Sequence, residues 1–128
     1  MPHTALLVED SPTIREALIP TLRELANVEV IGIAETPEDA ISIARHQHWS
    51  LMILDMFLRE GSGLNVLMAL QQRSAGQRIV VLTNYATPDI RSRCTALGAN
   101  AVFDKSTELE DFFDYCVGFS TAWTPLLS

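Results

Sequence analysis

Aliphatic runs alternate along the chain with longer stretches of helical period. Ala5-Leu6-Leu7-Val8, Val28 to Ile33, Leu51 to Leu54, Ile79 to Leu82 and Ala101 to Phe103 are short, aliphatic and free of strict polar alternation. Such runs predict strands buried on both faces, as in a parallel sheet. Between them, Ser11-Pro12, Thr36-Pro37 and Thr87-Pro88 each put a hydroxyl at an N-cap and a proline at the first helical position. Ile14, Leu18, Leu22 and Leu25 then recur at helical spacing, and Ala40, Ile41 and Ala44 do so in the second helix. Leu64, Leu67 and Leu70 predict a third helix. Ile90, Cys94 and Leu97 predict a fourth, closed by Gly98 as its C′ residue. Thr107 with Glu110 reads as a capping box for a fifth helix through Phe112, Phe113 and Cys116. Pro20 falls inside the first helix, where it cannot donate to the Glu16 carbonyl. The apolar period continues past it, so a kink is expected there rather than an end.

The order βαβαβαβαβα predicts an α/β fold, with helices on both faces of a parallel sheet. With 128 residues there is room for one domain. Cys94 and Cys116 fall on the fourth and fifth helices; on opposite faces of the sheet they are too far apart for a disulfide. Asp plus Glu (16) exceeds Lys plus Arg (9), giving a formal net charge of −7. A surface this acidic repels phosphate backbones, so no direct nucleic-acid partner is expected. The longest apolar run is far short of a bilayer span, and the N-terminus lacks the features of a signal peptide. A reduced, cytoplasmic protein with no membrane partner is the expectation.

In an open parallel sheet, ligands bind beyond the carboxyl ends of the strands. Glu9-Asp10 follows the first strand, Asp55 the third, Thr83 the fourth and Lys105 the fifth. The second ends in Gly32-Ile33-Ala34-Glu35, which is less distinctive. Each residue alone has an ordinary reading: Asp10 as a helix cap, Asp55 as a turn residue, Thr83 as a β residue, Lys105 as a solvated cation. Together they place three carboxylates, a hydroxyl and an ammonium on one edge of the sheet. Three carboxylates in one cleft repel one another unless a cation compensates. Carboxylate oxygens and water suit Mg²⁺, which pairs readily with phosphate oxygens. One carboxylate can then attack phosphorus, while lysine and hydroxyl hold the remaining phosphoryl oxygens.

These residues resemble the receiver domain of two-component response regulators. The resemblance runs from about Ala5 to Cys116. It rests on Leu7-Val8-Glu9-Asp10-Ser11, Leu54-Asp55 with Gly63-Leu64, Val81-Leu82-Thr83, Leu97-Gly98-Ala99 and Asp104-Lys105-Ser106. It implies a flavodoxin-like, doubly wound (βα)5 fold with a five-stranded parallel sheet of order 2-1-3-4-5. It further implies Asp55 as phosphoacceptor, Asp10 as a direct Mg²⁺ ligand, Glu9 acting through water, and the Phe57 carbonyl completing the metal ligands. Thr83 would bind the phosphoryl group and shift on activation, and Lys105 would pair with the phosphate. The donor would be a phosphohistidine on a sensor histidine kinase or histidine phosphotransfer protein. Output would pass to a downstream protein through the face of the fourth helix, fifth strand and fifth helix, which could also form a homodimer.

Four positions depart from the family pattern. Val102 stands where an aromatic switch residue is usual, and strand alternation turns Phe103 to the other face. Looser coupling of Thr83 to the output face is therefore expected. Ser106 replaces the proline after the lysine, which disfavours a cis peptide there. Asn84 replaces a small residue, narrowing the site, and Arg59 replaces a proline in the loop after Asp55. Residues 1–119 are expected to form a stand-alone receiver, and 120–128 an apolar tail that either binds a partner or folds back. His3, His46 and His48 lack ligand spacing, Trp49 is expected in the core, and Arg15 either meets the phosphodonor or faces solvent.

Two rival classes fail on single residues. A phosphatase of the haloacid dehalogenase type needs a second Asp two residues after its nucleophile, where this chain has Phe57. A flavin carrier of the same fold needs a hydroxyl- and glycine-rich first loop, where Glu9-Asp10-Ser11-Pro12 would repel phosphate. The third alternative is a receiver that takes no phosphate and works as a constitutive protein-binding module.

Overall fold

The computed structural model describes residues 3–121. In chain order the elements are β1 (His3–Val8), α1 (Pro12–Ala26), β2 (Val28–Ala34), α2 (Pro37–His46) and β3 (Leu51–Leu54). A short hairpin of β4 (Phe57–Leu58) and β5 (Gly61–Ser62) follows, then α3 (Gly63–Ala69), β6 (Arg78–Thr83), α4 (Pro88–Ala96), β7 (Ala101–Asp104) and α5 (Leu109–Thr121). The main sheet is parallel with order β2-β1-β3-β6-β7. Leaving out the hairpin, this is the predicted order 2-1-3-4-5.

The three Ser/Thr-Pro starts work as read. The side chains of Ser11, Thr36 and Thr87 accept from the backbone N–H of Ile14, Asp39 and Ile90, with proline beginning each helix. Gly98, at φ 100°, ends α4 in the left-handed region that glycine adopts without strain. In α2, Glu38 and Asp39 occupy the first turn and Arg45 and His46 the last, matching the helix dipole.

Apolar side chains form two layers, one on each face of the sheet. Leu6, Val8, Met52, Leu54, Ile79 and Val81 pack under α2, α3 and α4 with Trp49, Val66, Leu67 and Cys94. Ala5, Leu7, Leu51, Ile53, Val80 and Leu82 pack under α1 and α5 with Leu18, Leu22, Phe112 and Cys116. Alternate strand residues therefore serve opposite layers, which is why β1, β3 and β6 carry no polar positions in their cores. The cysteines lie in different layers and are free thiols. Trp49 is buried, as expected, and its indole N–H donates to the Ala44 carbonyl at 3.0 Å.

Three local expectations are corrected. β2 lies at the edge, as the order 2-1-3-4-5 implies, but Glu29, Ile31 and Ile33 are exposed, so the strand is not buried on both faces. Its pairing with β1 slips by one residue, with Val30 opposite Ala5 and Gly32 opposite Leu6, leaving Ile31 as the extra residue. In α1 the buried stripe is Leu18, Leu22 and Ala26; Leu25 points to solvent at 60% exposure. As expected, the same helix continues past Pro20, running from Pro12 to Ala26. Finally, α5 begins at Leu109, not at a Thr107 cap: the Asp104 carboxylate accepts from the N–H groups of Ser106 and Thr107 instead. Thr121 is the last described residue, so the expected apolar tail lies outside the described residues from 122 on.

Candidate functional site

Strand register brings the site together. Val8 pairs with Leu54, so Glu9 and Asp55 leave adjacent strands side by side. The Asp55 N–H continues the ladder to the Val8 carbonyl at 3.0 Å, and the Glu9 N–H does the same to Ala34 at 3.0 Å. Across β6 and β7, Thr83 pairs with Asp104, and the Lys105 N–H donates to the Thr83 carbonyl at 2.9 Å. Every strand therefore ends at one edge, and the side chains just beyond it share a single cleft.

A cavity of about 220 Å³ opens there, lined by Glu9, Asp10, Asp55, Phe57, Asn84 and Lys105 together with Ser11, Ile14 and Tyr85. The Lys105 ammonium donates to Glu9 Oε1 at 2.5 Å and to Asp55 Oδ2 at 3.1 Å. The Ser11 N–H donates to Glu9 Oε2 at 3.1 Å, and the Phe57 N–H to Asp55 Oδ1 at 3.4 Å. Glu9 is 3% exposed and Asp55 7%. Burial pushes the Glu9 carboxyl up, and the Lys105 hydrogen bond and charge only partly offset this. Burial also disfavours the Lys105 ammonium, but its bond to Glu9 and the charges of Asp55 and Glu9 outweigh that, so its pKa is raised. The lysine therefore stays a cation beside two carboxylates.

Carboxylate oxygens of Glu9, Asp10 and Asp55 lie within 4.8 Å of one another. That all-oxygen set fits a hard divalent cation such as Mg²⁺, which binds through one or two carboxylates and keeps several waters. Among the described residues these are the ones grouped closely enough to hold a metal. Thr83 is fully buried at the end of β6, its hydroxyl accepts from the Tyr85 N–H at 3.3 Å, and it does not line the cavity.

The departures from pattern have visible consequences. Val102 packs in the layer under α4, while Phe103 joins the other layer against Phe112 and Tyr115. No cis peptide occurs among the described residues, so Lys105–Ser106 is trans. Asn84 stands at the cavity and accepts from the Ser106 hydroxyl at 3.2 Å. His46 and His48 are exposed, and the His46 ring contacts the Ser42 carbonyl of its own helix.

Some contacts near the site escape sequence reasoning, and Arg15, expected either to meet the phosphodonor or to face solvent, is instead tied to two acidic residues. Arg15 donates to the Glu9 carbonyl at 2.8 Å and to Glu35 Oε2 at 2.9 Å, with Arg59 Nη1 at 3.7 Å from Glu35 Oε1. Arg15 thus braces the acidic loop from behind. Glu35 carried a signal, since it also follows a strand at this edge, but its partners are distant in sequence. Phe57 and Tyr85 meet edge-on at the cavity, with ring centroids 4.8 Å apart.

Residues 5–116 match the response regulator receiver domain family. The chain belongs to that family. The receiver is 28% identical over 97% of its length to the virulence factors transcription regulator BvgA of Bordetella pertussis. It is 32% identical over 79% of its length to the transcriptional regulatory protein CitB of Klebsiella pneumoniae. It spans 59% of the former and 42% of the latter. Among solved structures, a response regulator from Chloroflexus aurantiacus superimposes with a TM-score of 0.80 at 27% identity, covering 95% of this chain and 99% of that one. The Mn(2+)-bound form of response regulator Rcp1 gives 0.75 at 26% identity, covering 95% and 94%. By family, the receiver is a signalling phosphoacceptor domain. No described helix is long and apolar enough to cross a membrane.

Proposed function

We propose that this receiver takes a phosphoryl group onto Asp55 from a phosphohistidine of a sensor histidine kinase or histidine phosphotransfer protein, with Mg²⁺, and so switches a protein-binding face. The observation that carries the reading is the meeting of the Lys105 ammonium with Glu9 and Asp55 beside Asp10. An aspartate is already ionised at neutral pH and needs no base. One Asp55 oxygen bonds to phosphorus as the histidine N–P bond breaks, and the imidazole leaves with that electron pair. Lys105, already within hydrogen-bond reach of Asp55, is placed to follow the negative oxygens of the transferred group. Asp10, Asp55 and the Phe57 carbonyl would hold the metal, with Glu9 acting through water. Bound there, Mg²⁺ would neutralise charge on the phosphoryl oxygens. The Mn(2+) in the Rcp1 structure supports a divalent ion in this fold. Thr83 would reach the phosphoryl group by leaving its bond to Tyr85. The face of α4, β7 and α5 is the proposed output and homodimer surface.

Acetyl phosphate with Mg²⁺ should add about 80 Da to the intact protein, the mass of one phosphoryl group on a carboxylate. Asp55→Ala should abolish the gain, and Asp10→Asn should weaken Mg²⁺ titration by at least about tenfold. No gain with either acetyl phosphate or a phosphohistidine donor would instead make the chain a constitutive binding module.

A further inference from the structure

Arg91 lies in α4, outside the cavity, and its guanidinium reaches three separate segments. Nε donates to the Ala86 carbonyl at 2.9 Å, in the loop between β6 and α4. Nη1 donates to the Val102 carbonyl of β7 at 3.1 Å. Nη2 pairs with the Glu108 carboxylate, just before α5. That carboxylate also accepts from the Asp104 N–H at 3.0 Å. Asp104 precedes Lys105, whose own N–H is held by the Thr83 carbonyl. Hydrogen bonds therefore close a ring through the two loops that follow Thr83 and carry Lys105, and the Ser106–Asn84 bond adds a second tie between them.

The chemistry of this ring is directional. A guanidinium is planar and presents its donors in a fixed fork, so neither loop can shift without dragging α4 or breaking a charge-assisted bond. An isolated ion pair this exposed would be weak. Its weight comes from one rigid group holding three backbone or carboxylate acceptors at once. The Arg91 bond, followed by the Asp104 N–H, holds the Glu108 carboxyl below its usual range. Meanwhile the side chain at position 102, a valine packed into the layer under α4, offers no hydrogen bond with which to link the loops.

We propose that Arg91 and Glu108 are positioning residues that lock the Lys105 loop to the Thr83 loop and pass a change at Asp55 to α4. The inference rests on the phosphoacceptor reading above. The test is a comparison of wild type, Arg91→Ala, Arg91→Lys and Glu108→Gln with Mg²⁺ and beryllofluoride, followed by amide chemical shifts. Acetyl phosphate labelling, read by mass, runs in parallel. All four proteins should label, and all should show shifts at residues 9, 10 and 55. Only wild type should show the full response along α4; the variants should lose most of it. Lysine keeps the charge but cannot reach three acceptors, so a purely electrostatic or structural role would be rescued by Arg91→Lys, which would overturn the proposal. A full α4 response in Arg91→Ala would also overturn it. Should Arg91→Ala fail to fold, Glu108→Gln, nearly isosteric, decides the same point. If wild type does not label, the phosphoacceptor reading fails and the proposal falls with it. If wild type labels and the variants respond like it, only the proposal fails.

Discussion

Gly63 shows how tightly the backbone is drawn around Asp55. Its N–H donates to the Met56 carbonyl at 2.8 Å. A Cβ there would lie 2.4 Å from the Asp55 carbonyl oxygen and 2.5 Å from Met56 Cε. The first contact is with backbone, which cannot swing aside. Gly63→Ala should therefore cost roughly 1–3 kcal/mol, the range for forced overpacking. It should also slow labelling of Asp55, because relief of the clash displaces the acceptor. Urea unfolding and acetyl phosphate labelling check both, and an unchanged midpoint would refute the claim. At this scale much was legible. Glu9, Asp10, Asp55 and Lys105 follow strands, so counting residues past each aliphatic run found them. The Gly63 contact and the Arg15 brace were not legible, because they depend on how loops fold back rather than on any period.

At the scale of elements, caps were read well where side chain and backbone cooperate locally. Ser11, Thr36 and Thr87 satisfy amides three residues on, an interaction written wholly in adjacent sequence. The start of α5 was misread because a second local carboxylate, Asp104, organises the turn ahead of Thr107. Asp104 takes the Ser106 and Thr107 amides, and Glu108 takes that of Asp104 while paired with Arg91. The hairpin of β4 and β5 was missed for another reason: two-residue strands have no period to detect. Glu108 makes this element boundary sensitive to pH. The charged groups facing it are Arg91, which lowers its pKa, and Asp104, whose charge opposes; the net shift is downward from 4.5. A folded pKa below the unfolded one means stability that is present above the unfolded value and lost as pH falls through the folded one. Glu108→Gln should thus melt lower than wild type at neutral pH, and the gap should close below pH 4.5. A gap that stays constant with pH would exclude the ion pair as its cause.

For the whole molecule, the alternation of elements predicted a parallel sheet and its shared edge, since parallel strands joined by helices present all their carboxyl ends together, while the strand order came from the family resemblance. The aliphatic runs by themselves did not show which positions would be exposed, because an edge is a property of topology, not of the run itself; Ile31 and Ile33 look as buried in sequence as Ile53. The sheet also divides the interior in two. Cys94 belongs to the layer under α2, α3 and α4, Cys116 to the layer under α1 and α5, and neither is accessible. Burial raises both thiol pKa values, that of Cys116 to about 12, so neither is reactive while folded. Native protein should resist iodoacetamide at both positions. In sub-denaturing urea, mass spectrometry of each alkylated peptide then becomes a clock for one layer at a time. Equal rates would mean that the halves open as one cooperative unit, and unequal rates would tell which helical cover lifts first.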